Sequence, residues 1–133
     1  MTQRCTLKKQ ERLCSRTLIQ TLFDQGQSFV KYPFRVTYLS LESDADKAVL
    51  QMLVSVSKRR FKRAVKRNRL KRLSREAYRL NKHALADQVE ASGKGLAVAF
   101  IYLPSEMLDY KAVEKGMKKA LKKLQQETAD HEK

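Results

Sequence analysis

The stretch Lys58–Lys82 limits what this chain can fold into more than any other. It holds 13 of the 29 Lys and Arg residues and one acid, Glu76, so it carries +12 of the chain's net +15. The basic character of the chain is therefore concentrated in one site and is not a diffuse background. The stretch contains no Pro or Gly and is rich in Leu, Arg, Lys and Ala, so it reads as a helix from about Ala64 to Leu80. On a wheel of about 100° per residue, Leu70, Leu73, Ala77, Leu80 and Ala84 form one stripe. Asn68, Lys71, Arg72, Arg75, Arg79 and Lys82 fall on the opposite arc. One face seeks a core and the other suits a polyanion. A merely solvated face mixes signs, and this one offers Glu76 alone.

The rest of the chain reads as short elements around that helix. Residues 1–14 are polar and basic, and an extended segment is expected. Ser15 is a candidate N-cap for a short helix with Leu18, Ile19, Leu22 and Phe23 on one side, ended by Gly26. Residues 27–32 suit a strand cut by Pro33. In 34–41, Phe34, Val36 and Tyr38 alternate with Arg35 and Thr37. After the acidic turn 42–47, Leu50, Met52, Val54 and Val56 alternate with Gln51, Ser55 and Ser57. Two neighbouring antiparallel strands with one apolar and one polar face are expected. Beyond the basic helix come a polar stretch, the loop 92–95 and the wholly apolar strand 96–103, stopped by Pro104. A last helix begins near Asp109, with a stripe of Tyr110, Val113, Met117, Ala120, Leu121 and Leu124. Gly116 inside it costs about 1 kcal/mol relative to Ala, and a frayed tail is expected from Glu127. The fold class is α+β: a small sheet of about four strands with three helices, in the order α-β-β-β-α-β-α. One domain is expected over 1–133, with an ordered core of about 6–126.

Composition narrows the function classes. At 42% hydrophobic residues the chain can build a modest core. No apolar run approaches the roughly 18 residues of a membrane span, and the first residues lack a signal-peptide stretch. Cys5 and Cys14 have no C-x-x-C spacing, which suggests two free thiols in a reducing cytoplasm. His83 and His131 stand alone, the acids are scattered, and no Gly-rich phosphate loop or nucleophile elbow is present. No metal site and no protein-borne active site are expected. Two binding surfaces emerge: the basic helix with its preceding loop (Lys58, Arg59, Arg60, Lys62, Arg63), and the polar sheet face of Arg35, Thr37, Gln51, Ser55 and Ser57. A rigid Arg/Lys array suits structured RNA, and an open sheet beside Phe23 suits a single strand. The alternatives are a structural ribosomal-type RNA-binding protein, a DNA binder working through the basic helix, and, least of all, an autonomous nuclease.

The run Ala64-Val65-Lys66-Arg67-Asn68-Arg69-Leu70-Lys71-Arg72-Leu73-Ser74-Arg75-Glu76 resembles the RNR signature of the bacterial ribonuclease P protein family. Arg67, Asn68 and Arg69 form the triplet; Lys71, Arg72, Arg75 and Arg79 match the residues that follow it. Leu13-Cys14-Ser15, Phe23 and Gly26 resemble the family's first helix, and with the element order the resemblance covers about residues 6–126. It implies a left-handed crossover around the basic helix. It implies a catalytic RNA subunit that cuts the 5′ leader from precursor tRNA, with Mg2+ entering through that RNA and no cofactor on the protein alone. The residues implied for the RNA subunit are Lys58, Arg59, Lys66, Arg67, Asn68, Arg69, Lys71, Arg72, Arg75 and Arg79. Those implied for the leader are Phe23, Arg35, Thr37, Ser55 and Ser57. Thr37 stands where other members often have an aromatic, and Phe29 is the nearby ring that could take its place. The Asn68 amide could also tie the loop before the helix. The partners expected are that RNA and precursor tRNA, in the cytoplasm, with no membrane and no obligate protein partner.

Overall fold

The apolar segment becomes the middle of the structure. In the computed structural model, which describes residues 16–41, 50–92 and 95–131, strand β4 (Gly95–Tyr102) is buried at every position except half-buried Ile101. It lies between β2 (Phe34–Leu41) and β3 (Leu50–Val56), and β1 (Gln27–Lys31) pairs with the outer edge of β2. The order is β1-β2-β4-β3; β1/β2 and β2/β4 are antiparallel and β3/β4 is parallel. The expectation that residues 34–41 and 49–57 are neighbours is therefore corrected. Both run in opposite senses, but β4 separates them, because the strand with two apolar faces takes the place covered on both sides. A parallel β3/β4 pair needs a long crossover, and the basic helix lies within it.

That crossover holds two helices: α2 (Ala64–Asn81) and α3 (His83–Ser92). The described residues thus contain four helices, with α1 (Arg16–Gln25) and α4 (Tyr110–His131), rather than the three expected. The missed one, α3, has a short apolar side among its described side chains: Leu85 and Val89 are buried, with Ala86 packed beside them. It is also held by Gln88, whose amide donates to the Gln125 carbonyl and the Thr128 hydroxyl of α4. α4 starts as expected, with the Asp109 carboxylate accepting the Ala112 N–H at 3.0 Å. It continues to His131, beyond the expected fraying at Glu127. Ser15, the acidic turn 42–47 and both cysteines lie outside the described residues.

Two layers cover the sheet. On one face, Phe34, Val36, Met52, Val54, Val98 and Phe100 meet Leu70 and Tyr78 of α2 and Met117 and Leu124 of α4. Phe100 takes Phe34 and Tyr78 edge-on, both at 5.8 Å. Each large side chain buried here contributes about 1.5–3 kcal/mol. On the other face, Leu22 of α1 rests on Ala97 and Ala99, with Leu18, Ile19, Leu39 and Leu53 around it. The two alanines let the helix approach closely.

Two glycines are required by close approach. A Cβ on Gly26 would stand 2.8 Å from the Tyr38 carbonyl and 3.1 Å from the Thr37 methyl, where α1 turns into β1. A Cβ on Gly116 would stand 2.2 Å from Pro33 Cδ and 2.6 Å from the Tyr32 carbonyl. The helix-propensity cost of Gly116 is thus offset by letting α4 lie directly on the β1–β2 turn.

Candidate nucleic-acid interface

The loop before α2 is built by short-range bonds. The Ser57 carbonyl accepts the Phe61 N–H at 3.0 Å, and the Ser57 hydroxyl accepts the Arg59 N–H at 3.1 Å. Phe61 is buried, its ring centroid 5.9 Å from that of Tyr102. These contacts fold residues 58–60 into a turn that leaves Lys58, Arg59 and Arg60 in solvent. Arg67 closes the arrangement: one guanidinium nitrogen donates to the Phe61 carbonyl at 2.7 Å and the Lys62 carbonyl at 2.9 Å. The tie expected from Asn68 is therefore made by Arg67, while Asn68 is exposed on the next face. Beside the loop is a cleft of about 380 Å³, lined by Arg60, Lys62, Arg63 and Lys66 and, across it, by Ser105, Glu106 and Met107. α2 opens without a side-chain cap at Arg63 and without an acid in its first turn. Its free N–H groups add positive potential to the four cations.

The basic arc of α2 is rotated from the one the wheel gave. The buried side is Leu70, Ser74, Ala77 and Tyr78, roughly 60° round from the expected stripe. Leu73 is half-buried, Leu80 is 44% exposed, and Ala84 is exposed in α3. Ser74 tolerates the core because its hydroxyl donates to the Leu70 carbonyl at 2.8 Å, and Tyr78 packs on Phe100. The rotation buries Lys82, which leaves the cationic arc, and half-buries Lys71. Lys66, Asn68, Arg69, Arg72 and Arg75 remain exposed. Arg79 is only partly available, since it pairs with Glu76 through two bonds. Five charged or amide side chains along one rigid helix are thus held toward solvent, with phosphate-binding forks on three of them.

The second surface lies across the sheet. Where α1 does not cover it, Val30, Arg35, Ile101 and Ser55 sit in register across all four strands. At about 4.8 Å between strands the row spans roughly 14 Å. Arg35, Ser55 and 60%-exposed Val30 are open, and Phe23 of α1 is 46% exposed. Two expected members, and the ring suggested to stand in for one of them, do not fit an open slot. Thr37 is buried beside Gly26, its hydroxyl 3.0 Å from that of Ser28. The Ser57 hydroxyl is engaged in the turn below it. Phe29 points to the core face, 6.0 Å from Tyr38, and cannot replace an aromatic at Thr37. Val30 and Ile101 were missed because an apolar residue in a strand reads as core. Tyr32, 60% exposed at the β1–β2 turn, was missed because it precedes Pro33.

Titration shifts mark structural rather than reactive groups. Burial, with the Glu127 charge and hydrogen bond adding to it, pushes the Tyr38 phenol up to about 12. Burial also raises Tyr102 and Tyr110, the latter helped by its bond to Glu114. Among the described residues no group of three or more His, Cys, Asp or Glu is placed to hold a metal ion, and no helix is long and apolar enough to cross a membrane.

A family model described as Ribonuclease P matches residues 7–125. A ribonuclease P protein component from Porphyromonas gingivalis is 50% identical over 115 residues, covering 86% of this chain and 83% of the relative. The RNase P protein of Staphylococcus aureus superposes with a TM-score of 0.67 at 20% identity, over 87% of this chain and 96% of the other. That of Thermotoga maritima gives 0.63 at 26% identity, over 85% and 96%.

Proposed function

The chain belongs to the ribonuclease P protein family, and from that premise we propose how its two surfaces divide the work. The α2 arc with its loop binds the catalytic RNA subunit, through Lys58, Arg59, Lys66, Asn68, Arg69, Arg72 and Arg75. Arg67 shapes that surface and Lys71 and Arg79 border it. The open sheet row, with Phe23, Arg35 and Ser55, holds the single-stranded 5′ leader of precursor tRNA. The observation that carries this reading is the placement of two dissimilar surfaces on opposite faces of one sheet: a dense cationic helix face, and an open row on the face that carries α1 and its exposed Phe23.

The chemistry follows from that division. Phosphate oxygens of a folded RNA meet fixed cations on α2, which releases counterions and lowers repulsion between RNA subunit and substrate. The leader gains stacking and polar contacts that mature tRNA, lacking a leader, cannot make. The cut that leaves a 5′-phosphate on tRNA, and the Mg2+ it uses, are assigned to the RNA subunit. The holoenzyme works in the cytoplasm without an obligate second protein. The test is reconstitution with the cognate RNA subunit at low magnesium, using one precursor tRNA. Stimulated 5′ cleavage supports the reading; RNA binding without stimulation would favour a purely structural RNA-binding role.

A further inference from the structure

A second basic surface lies on α4. Lys111, Lys115, Lys118 and Lys122 recur at i, i+4, i+7 and i+11. They fall within about 60° of helix arc along about 16 Å of axis. All four are exposed, opposite the side that buries Val113, Met117, Ala120 and Leu124. None of them is in an ion pair among the described residues. The nearby acids of α4 turn elsewhere: Glu114 accepts bonds from Asn81 and Tyr110, and Glu127 from Lys123 and Tyr38. Like charges at i,i+4 and i,i+3 weaken a helix, so fold stability does not account for the pattern.

The position of the stripe indicates what it meets. α4 and α2 lie side by side over the same sheet face, away from the open row. Between the two basic surfaces runs a seam containing the Glu76–Arg79 pair and Glu114. Two cationic ridges separated by acids suit two separate phosphate backbones better than one continuous strand. We propose that the α4 stripe is a second docking surface for the RNA subunit, gripping the backbone of a different segment from the one on α2. This rests on the reading that α2 binds that RNA. Lysines alone act as point charges for phosphate and carry no base readout. A membrane surface would call for apolar residues beside the stripe, whereas its exposed neighbours are Lys119 and Gln126.

The test uses the full chain and a transcript of the cognate RNA subunit. Replacing all four by Gln keeps helix propensity and removes the repulsion, so melting should hold or rise. The log–log salt slope of binding should fall by about 3, and affinity at moderate salt by at least about tenfold. Replacing all four by Arg should preserve both. An Arg72→Gln/Arg75→Gln variant is measured beside them. If it loses slope and the α4 variant does not, the stripe proposal falls and the α2 reading stands; if neither loses slope, both fall. A loss confined to mature tRNA binding by the holoenzyme would assign the stripe to substrate and overturn the proposal. Should the four-Gln variant melt lower, Lys118→Gln/Lys122→Gln carries the same test at half the slope change.

Discussion

Arg67→Ala should have two effects that its neighbours do not combine. One nitrogen of Arg67 donates to two carbonyls of the loop, at 2.7 and 2.9 Å. A hydrogen bond from a charged group contributes about 1.5–3 kcal/mol net. The bond to Lys62 is exposed, so water replaces most of it, and a loss of about 1–2 kcal/mol remains. For a domain of this size that lowers the melting temperature by roughly 3–10 °C. Arg72→Ala removes an exposed side chain, so its stability should stay within about 0.5 kcal/mol of wild type. Its salt slope for RNA-subunit binding should still fall by about 0.7–0.9. Arg67→Lys retains the charge but lacks the rigid planar group that aims one nitrogen at both carbonyls, so it should melt low while keeping most of the slope. The assay is thermal melting beside a salt series of filter binding, on all three variants. Wild-type melting for Arg67→Ala, with a slope loss equal to that of Arg72→Ala, would refute the structural role of Arg67.

Three further outcomes follow from the packing. Leu70→Ala should cost about 2–5 kcal/mol and half-buried Leu73→Ala clearly less; equal losses in denaturant titrations would restore the unrotated helix phase. Gly116→Ala should destabilise despite the better helix propensity of Ala, because its Cβ meets Pro33 and the Tyr32 carbonyl; a raised melting temperature would show that α4 can lift off the turn. Tyr38 ionises near 10 when unfolded and about 12 when folded, so the folded state keeps its proton longer. The stability this gives is complete below about pH 10 and is lost as pH rises toward about 12. The raised Tyr102 and Tyr110 act in the same sense. A denaturation midpoint that stays flat across this range, measured on the protein alone, would contradict it.

Much of this was legible in the sequence where a pattern had one reading. The alternation in 34–41 and 49–57 placed the apolar faces of β2 and β3 correctly, and the Asp109 cap located the start of α4. Strand order was not legible, because alternation says which face is buried and not which strand is adjacent. The rotation of α2 was hidden by Ser74 and Tyr78. Both count as polar on a wheel, yet one satisfies its hydroxyl within the helix and the other packs an aromatic face. α3 was hidden because its short apolar side, Leu85 and Val89, is joined to α4 by an amide of its own, Gln88, which no periodicity reveals. Within the site, charge alone did not distinguish cations that face solvent from Arg67, which ties a loop, and Lys82, which is buried.

The most direct test of the opposite-face division is one ratio: holoenzyme affinity for precursor tRNA over that for mature tRNA, on wild type and Phe23→Ala at one salt concentration. Phe23 is 46% exposed on α1, which covers the sheet face away from α2 and α4. Loss of one stacked base is worth about 1–3 kcal/mol, so the ratio should fall by roughly 5- to 150-fold. Affinity for mature tRNA and for the RNA subunit should hardly change. A folded variant that keeps the wild-type ratio, or that weakens both ligands equally, would contradict a leader slot on that face.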